Sequence, residues 1–142
     1  MRKKSEAQVF LEQVKKLDVQ IMNKLIEQQQ WKDIALGITA NMEGERVQSS
    51  RTKSKMADAV GRCVDVEAEI NSLVDKLIAV KKEVIQTIER LDSATEYNVL
   101  HMRYIQDISL QDIADKYDKD YGWVTTCHGR ALKSLQKILD KK

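Results

Sequence analysis

Apolar residues recur three and four positions apart along two stretches of roughly thirty residues each, the signature of long amphipathic helices. No proline occurs anywhere in the 142 residues, and only five glycines do. Little therefore breaks a helix once it starts. The first stretch runs from about Ser5 to Leu36, with Ala7, Phe10, Leu11, Val14, Leu17, Ile21, Leu25 and Ile26 on one stripe, which fades at Gln28-Gln-Gln and resumes at Trp31, Ile34 and Ala35. The second runs from about Met56 to Leu91 through Val60, Val64, Glu67, Ile70, Leu73, Val74, Leu77, Lys81, Val84 and Ile88. Neither helix buries its stripe alone. The expected fold is all-α, a long antiparallel hairpin over 1–91 packing helix against helix, within itself or against a second copy.

Between the stretches, residues 37–55 hold Gly37, Gly44 and a run of Ser, Thr and Asn, a polar connection with bases at Arg46, Arg51, Lys53 and Lys55. A loop of that length inside a compact domain is uncommon. These four cations are candidate DNA-phosphate contacts; the plain alternative is a solvated loop. Beyond Leu91, capping residues appear in quick succession: Ser93 three before Glu96, Ser109 three before Asp112, and Asp120. They predict short helices over about 94–105 and 109–117 and a longer one over about 121–140. Residues 92–142 form the expected second domain. Its core would be Val99, Leu100, Met102, Ile105, Leu110, Ile113, Ala114, Tyr117, Val124, Ala131, Leu132, Leu135 and Ile138. Two helices joined by a tight turn, the second polar on one face, are the pattern of a helix-turn-helix.

Charge adds a weaker signal. The net charge is only +2, but residues 121–142 carry five bases and one acid, so the last helix is basic within a neutral segment. Aromatics are scarce at 5% while charged residues reach 32%, which favours amphipathic helices over a large globular core. Cys63 and Cys127 lie far apart, and His101 and His128 form no ligand cluster. No metal, disulfide or cofactor is expected, and the two thiols suit a reducing compartment. The Met-Arg-Lys-Lys start leads into a charged segment rather than a leader, and no run is long enough to span a membrane. The expectation is a cytoplasmic protein. Without paired carboxylates, a nucleophile beside a base, or a phosphate loop, an enzyme is the weakest reading.

If Val124 points inward, Tyr121, Gly122, Trp123, Thr125, Thr126, His128 and Gly129 form the outer face that a major groove would meet. Thr125 and Thr126 have the chemistry to meet a thymine methyl or a phosphate, His128 and Arg130 the backbone or a base edge, and Lys133 and Lys137 phosphates. Tyr121 and Trp123 are equally suited to packing against another part of the protein.

Three segments carry a specific resemblance. Leu100-His-Met-Arg-Tyr-Ile, Ile108-Ser-Leu-Gln-Asp-Ile-Ala-Asp-Lys-Tyr, and Val124 with Arg130-Ala-Leu-Lys-Ser-Leu resemble, without a gap, region 4 of bacterial sigma factors. That region is the helix-turn-helix that binds the −35 promoter element. Ile38-Thr-Ala, Gly44-Glu-Arg-Val-Gln-Ser-Ser and Lys55-Met-Ala-Asp-Ala-Val resemble a family encoded by phages and prophages of Gram-positive bacteria, in which a long helical hairpin precedes such a module. The resemblance implies a regulator of phage gene expression in the host bacterial cell, with double-stranded DNA as partner and RNA polymerase as a second. The rival implication is a scaffold that docks on polymerase or another phage protein without reading DNA. Sigma factors typically place Arg, Glu and Gln where Tyr121, Gly122 and Thr126 stand here, so the ordinary promoter element is not the expected target. Asp118 stands in place of the usual turn glycine, and Lys119 in place of an apolar residue.

Overall fold

A computed structural model describes residues 3–37 and 50–141. Among them the chain is all-helical, with no strand. Five helices follow one another: α1 (Glu6–Ala35), α2 (Ser50–Ile88), α3 (Ala94–Leu100), α4 (Leu110–Lys116) and α5 (Tyr121–Asp140). The helix begun by α3 continues as a π-turn over His101–Ile105. Contacts gather the chain into two compact units. A terminal unit comprises the chain up to Leu17 together with Leu77–Lys142, and a paired-helix unit spans Asp18–Lys76. The first turns of α1 and the last turns of α2 thus share a unit with α3, α4 and α5.

Helix α2 starts six residues before the expected Met56, so Arg51, Lys53 and Lys55 lie on a helix and not in a loop. The reason is local. Ser50–Lys55 contains neither glycine nor proline, and its bases are good helix formers where no packing is demanded. Arg46 and the rest of 38–49 lie outside the described residues.

In the paired-helix unit, Ala59, Val66 and Ile70 are buried on α2. Two of the expected stripe positions, Val60 and Val64, face outward at 52% and 62% exposure, as does Glu67. The apolar pattern of α2 is wide enough to feed two stripes, and Ala59-Cys63-Val66-Ile70 takes the inner one. Charges stitch the pair together: Lys24 Nζ lies 2.7 Å from Glu69 and 3.3 Å from Glu27, and Arg62 reaches Glu27 at 3.2 Å. Residue 24 meets 69 while 27 meets 62, so the two segments run in opposite directions. Trp31 donates its indole N–H to Glu27 at 3.4 Å. That indole and then Lys24 hold the Glu27 carboxyl below its ordinary range, and Lys24 does the same for Glu69. Exposed pairs of this kind add little stability; they select which side chains face each other.

The terminal unit has a deeper core. Ala7, Leu11 and Val14 from α1 meet Val84, Ile88 and Leu91, then Leu100 and Tyr104, then Ala131 and Leu135 of α5. A second cluster holds Val99, Ile113, Ala114 and Val124. Both α3 and α4 pack on α5. Gln136 of α5 accepts the Ala7 backbone N–H at 2.9 Å, capping the first turn of α1 with a residue from the last helix. The caps expected at Ser93 and Ser109 are in place, accepting from the N–H groups of Glu96 and Asp112, and Ser5 accepts likewise from Gln8 at the start of α1.

Helix α4 ends as a Schellman turn. Lys119 N–H bonds Ala114 C=O at 2.9 Å, Asp118 N–H bonds Asp115 C=O at 3.1 Å, and Asp118 itself adopts φ +55°. That conformation favours glycine, and an aspartate holds it at a cost. Asp118→Gly is expected to raise the unfolding free energy by about 0.5–1 kcal/mol, read from urea titrations of the two proteins.

Candidate nucleic-acid interface

The site begins with how α5 is held. Asp120 Oδ1 accepts the Trp123 N–H at 2.8 Å and caps the helix, where its charge also suits the helix dipole. The Trp123 ring leans on Tyr117, with centroids 5.2 Å apart and planes at 51°. Val124 is fully buried one turn in and fixes the rotation of the helix. Ala131 and Leu135 repeat that inward direction at steps of seven and four.

Given that rotation, the opposite face carries Gly122, Thr126, Arg130, Lys133 and Lys137, all exposed. Tyr121, at 50% exposure, stands at its N-terminal edge. Thr125 and Thr126 both donate their hydroxyls to the Gly122 carbonyl at 2.9 Å, so their donors are satisfied within the helix and their methyls are left for outside contact. Gly129 flanks the face, and nothing within 4 Å would meet a Cβ built there. The result is a strip with little side-chain relief toward its start and three cations toward its end.

Two residues of the expected outer face turn inward instead. Trp123 is half-buried on the second cluster. His128 stacks on Tyr104, with ring centroids 5.7 Å apart, and its Nε2 lies 2.8 Å from the Tyr104 hydroxyl. The helical step explains this: 128 lies one turn beyond Val124 and near Ala131, on the buried side. Of the proposed loop cations, Arg51, Lys53 and Lys55 belong to the paired-helix unit, and Arg46 is not described.

A feature that sequence reasoning missed lies elsewhere in the terminal unit. A half-open cavity of about 550 Å³ is lined by Lys4, Glu12, Lys15, Lys16, Arg103, Tyr104 and Asp107 among others. Lys15 pairs with Asp107 at 2.7 Å, Lys4 with Glu12 at 2.7 Å, and Arg103 sits 5.7 Å from the centre of the Tyr104 ring. Lys15 and Asp107 stand 92 positions apart, a separation over which no periodicity gives warning. The π-turn signals the place only in retrospect, by carrying Arg103 and Tyr104 on one widened turn: Gln106 N–H reaches back five residues to His101 C=O.

No group of three or more metal-ligating side chains occurs among the described residues, and none of their helices is long and apolar enough to cross a membrane. Comparison with family models, with curated proteins and with solved structures returns no match to this chain.

Burial holds the His128 imidazole below its ordinary range, Arg103 adding to the effect, and raises the Tyr104 phenol to about 12. Because the folded His128 binds a proton less readily than the unfolded one, its contribution to stability is complete above the unfolded value of 6.5. It is lost as pH falls from there through the lowered folded value. Denaturant melts between about pH 7 and pH 5 should show this loss in the wild type and a flatter profile in His128→Gln. Tyr104→Phe keeps the ring contact and removes the hydroxyl, at an expected cost of about 1 kcal/mol.

Proposed function

We propose that the terminal unit binds double-stranded DNA through the exposed strip of α5, and that the protein is a phage-type transcriptional regulator. In this reading α3, α4 and α5 act as a helix-turn-helix of the sigma-region-4 kind, behind a long helical hairpin. The observation that carries it is the composition of the strip. Arg130, Lys133 and Lys137 are exposed on the same side as Gly122, while Gly129 at its flank has open space where a side chain would be.

The glycines make the argument sharper than charge alone. A glycine inside a helix costs roughly 0.5–1 kcal/mol relative to alanine, and no internal contact of Gly129 requires it. A bare backbone suits close approach of a phosphate backbone, and the three cations supply the charge that phosphates need. Base reading on such a strip rests on Thr126 and on groove shape, since no Arg, Asn or Gln stands in its first two turns.

A second reading, docking on RNA polymerase or another phage protein without reading DNA, is favoured by the cavity beside Arg103 and Tyr104. Its mostly apolar lining, rimmed by the paired charges of Lys4, Glu12, Lys15 and Asp107, is a ready partner surface and is not on the α5 strip. The two are separated by titrating labelled prophage promoter fragments by gel shift at several salt concentrations. Under the DNA reading, Arg130→Ala and Lys133→Ala each weaken binding of all fragments and lower the salt slope by about one phosphate's worth. Gly129→Ala stabilises the fold yet weakens DNA binding. A folded protein that binds no fragment at low salt, or binds with an affinity these substitutions leave untouched, removes DNA recognition by this strip.

A further inference from the structure

The outward face of α2 in the paired-helix unit is unused by the fold. Lys53, Ala57, Val60, Val64, Ala68, Asn71 and Asp75 fall on one side of that helix at steps of three and four, and every one is exposed. This side is turned away from Ala59, Val66 and Ile70, which face α1. Two exposed valines between Ala57 and Ala68 form an apolar seam about 17 Å long at the helical rise, inside a face of about 33 Å that runs from Lys53 to Asp75. Gly61 borders it, and a Cβ there would meet nothing within 4 Å.

We infer that this face is an interface with a second copy of the same chain, α2 lying antiparallel on α2 about a two-fold axis at Val64. Charge selects that occupant and that direction. The seam is basic at its start and acidic at its end, with Lys53 eleven residues before Val64 and Asp75 eleven residues after it. An antiparallel pairing centred on Val64 therefore sets Lys53 against the second copy's Asp75 at both ends. Within it, Val64 meets Val64, Val60 meets Ala68, and Ala57 meets Asn71. A parallel pairing would place Lys53 on Lys53 and Asp75 on Asp75, which repel. Self-complementarity of this kind is what an isologous interface requires.

The inference stands apart from DNA binding, since it concerns residues of the other unit and is read without DNA. Sedimentation equilibrium of the full chain at tens of micromolar should give twice the chain mass. Val64→Asp should give a monomer with unchanged helical circular dichroism, whereas Met22→Asp, on the exposed side of α1, should leave the dimer intact. Lys53→Asp should weaken association at least tenfold, and adding Asp75→Lys to it should restore it. In a Cys63→Ser, Cys127→Ser background, Val64→Cys should form a covalent dimer on mild oxidation. A monomeric wild type at these concentrations, a dimer that survives Val64→Asp, or a dimer in which Val64→Cys does not cross-link overturns the proposal.

Discussion

Helix α5 enters two apolar clusters at once, and the terminal unit depends on that double anchorage. Val124 sits among Val99, Ile113 and Ala114, while Ala131 and Leu135 pack with Leu11, Ile88, Leu100 and Tyr104. Val99 and Leu100, neighbours on α3, divide between the same two clusters. A helix held at two points along one side can neither rotate nor slide without emptying a buried site, and each large-to-small loss of that kind costs about 2–5 kcal/mol. The exposed strip of α5 owes its fixed orientation to this. Gln136, reaching the N–H of Ala7, ties the same helix to the start of the chain.

The paired-helix unit works on a different balance. Few of its side chains are fully buried, and its inner seam is interrupted by Lys24, Glu27, Arg62 and Glu69. Their mutual attraction is modest at this exposure. An ion-paired seam tells the two segments which residues to oppose but supplies little of the driving force that an apolar seam would. That leaves Val60 and Val64 outside and unburied, a condition that a second helix relieves more readily than water does.

Much of the helical layout was legible from local chemistry. Ser93, Ser109 and Asp120 cap the helices they were expected to cap, because a side-chain acceptor three residues before an orphan N–H is a short-range matter. Asp118 adopts the left-handed conformation that ends α4. Helix α2 starts earlier than composition suggests, because the polar run Ser50–Lys55 looks like a loop while lacking any residue that stops a helix. His128 turns away from the expected outer face for a different reason. Only the ring of Tyr104, 24 residues earlier, gives the half-buried imidazole its partner.

By itself the sequence determined that the chain is helical, where most helices begin and end, and which stripes are apolar. Those properties follow from intervals of three or four residues and from single capping side chains. Tertiary structure decided which of two overlapping stripes on α2 turns inward, that His128 of α5 turns toward Tyr104, and that Lys15 closes on Asp107 beside Tyr104. Such choices compare the packing of residues tens of positions apart. Their energies are set by shape and partner rather than by local propensity, so no short stretch of sequence contains them.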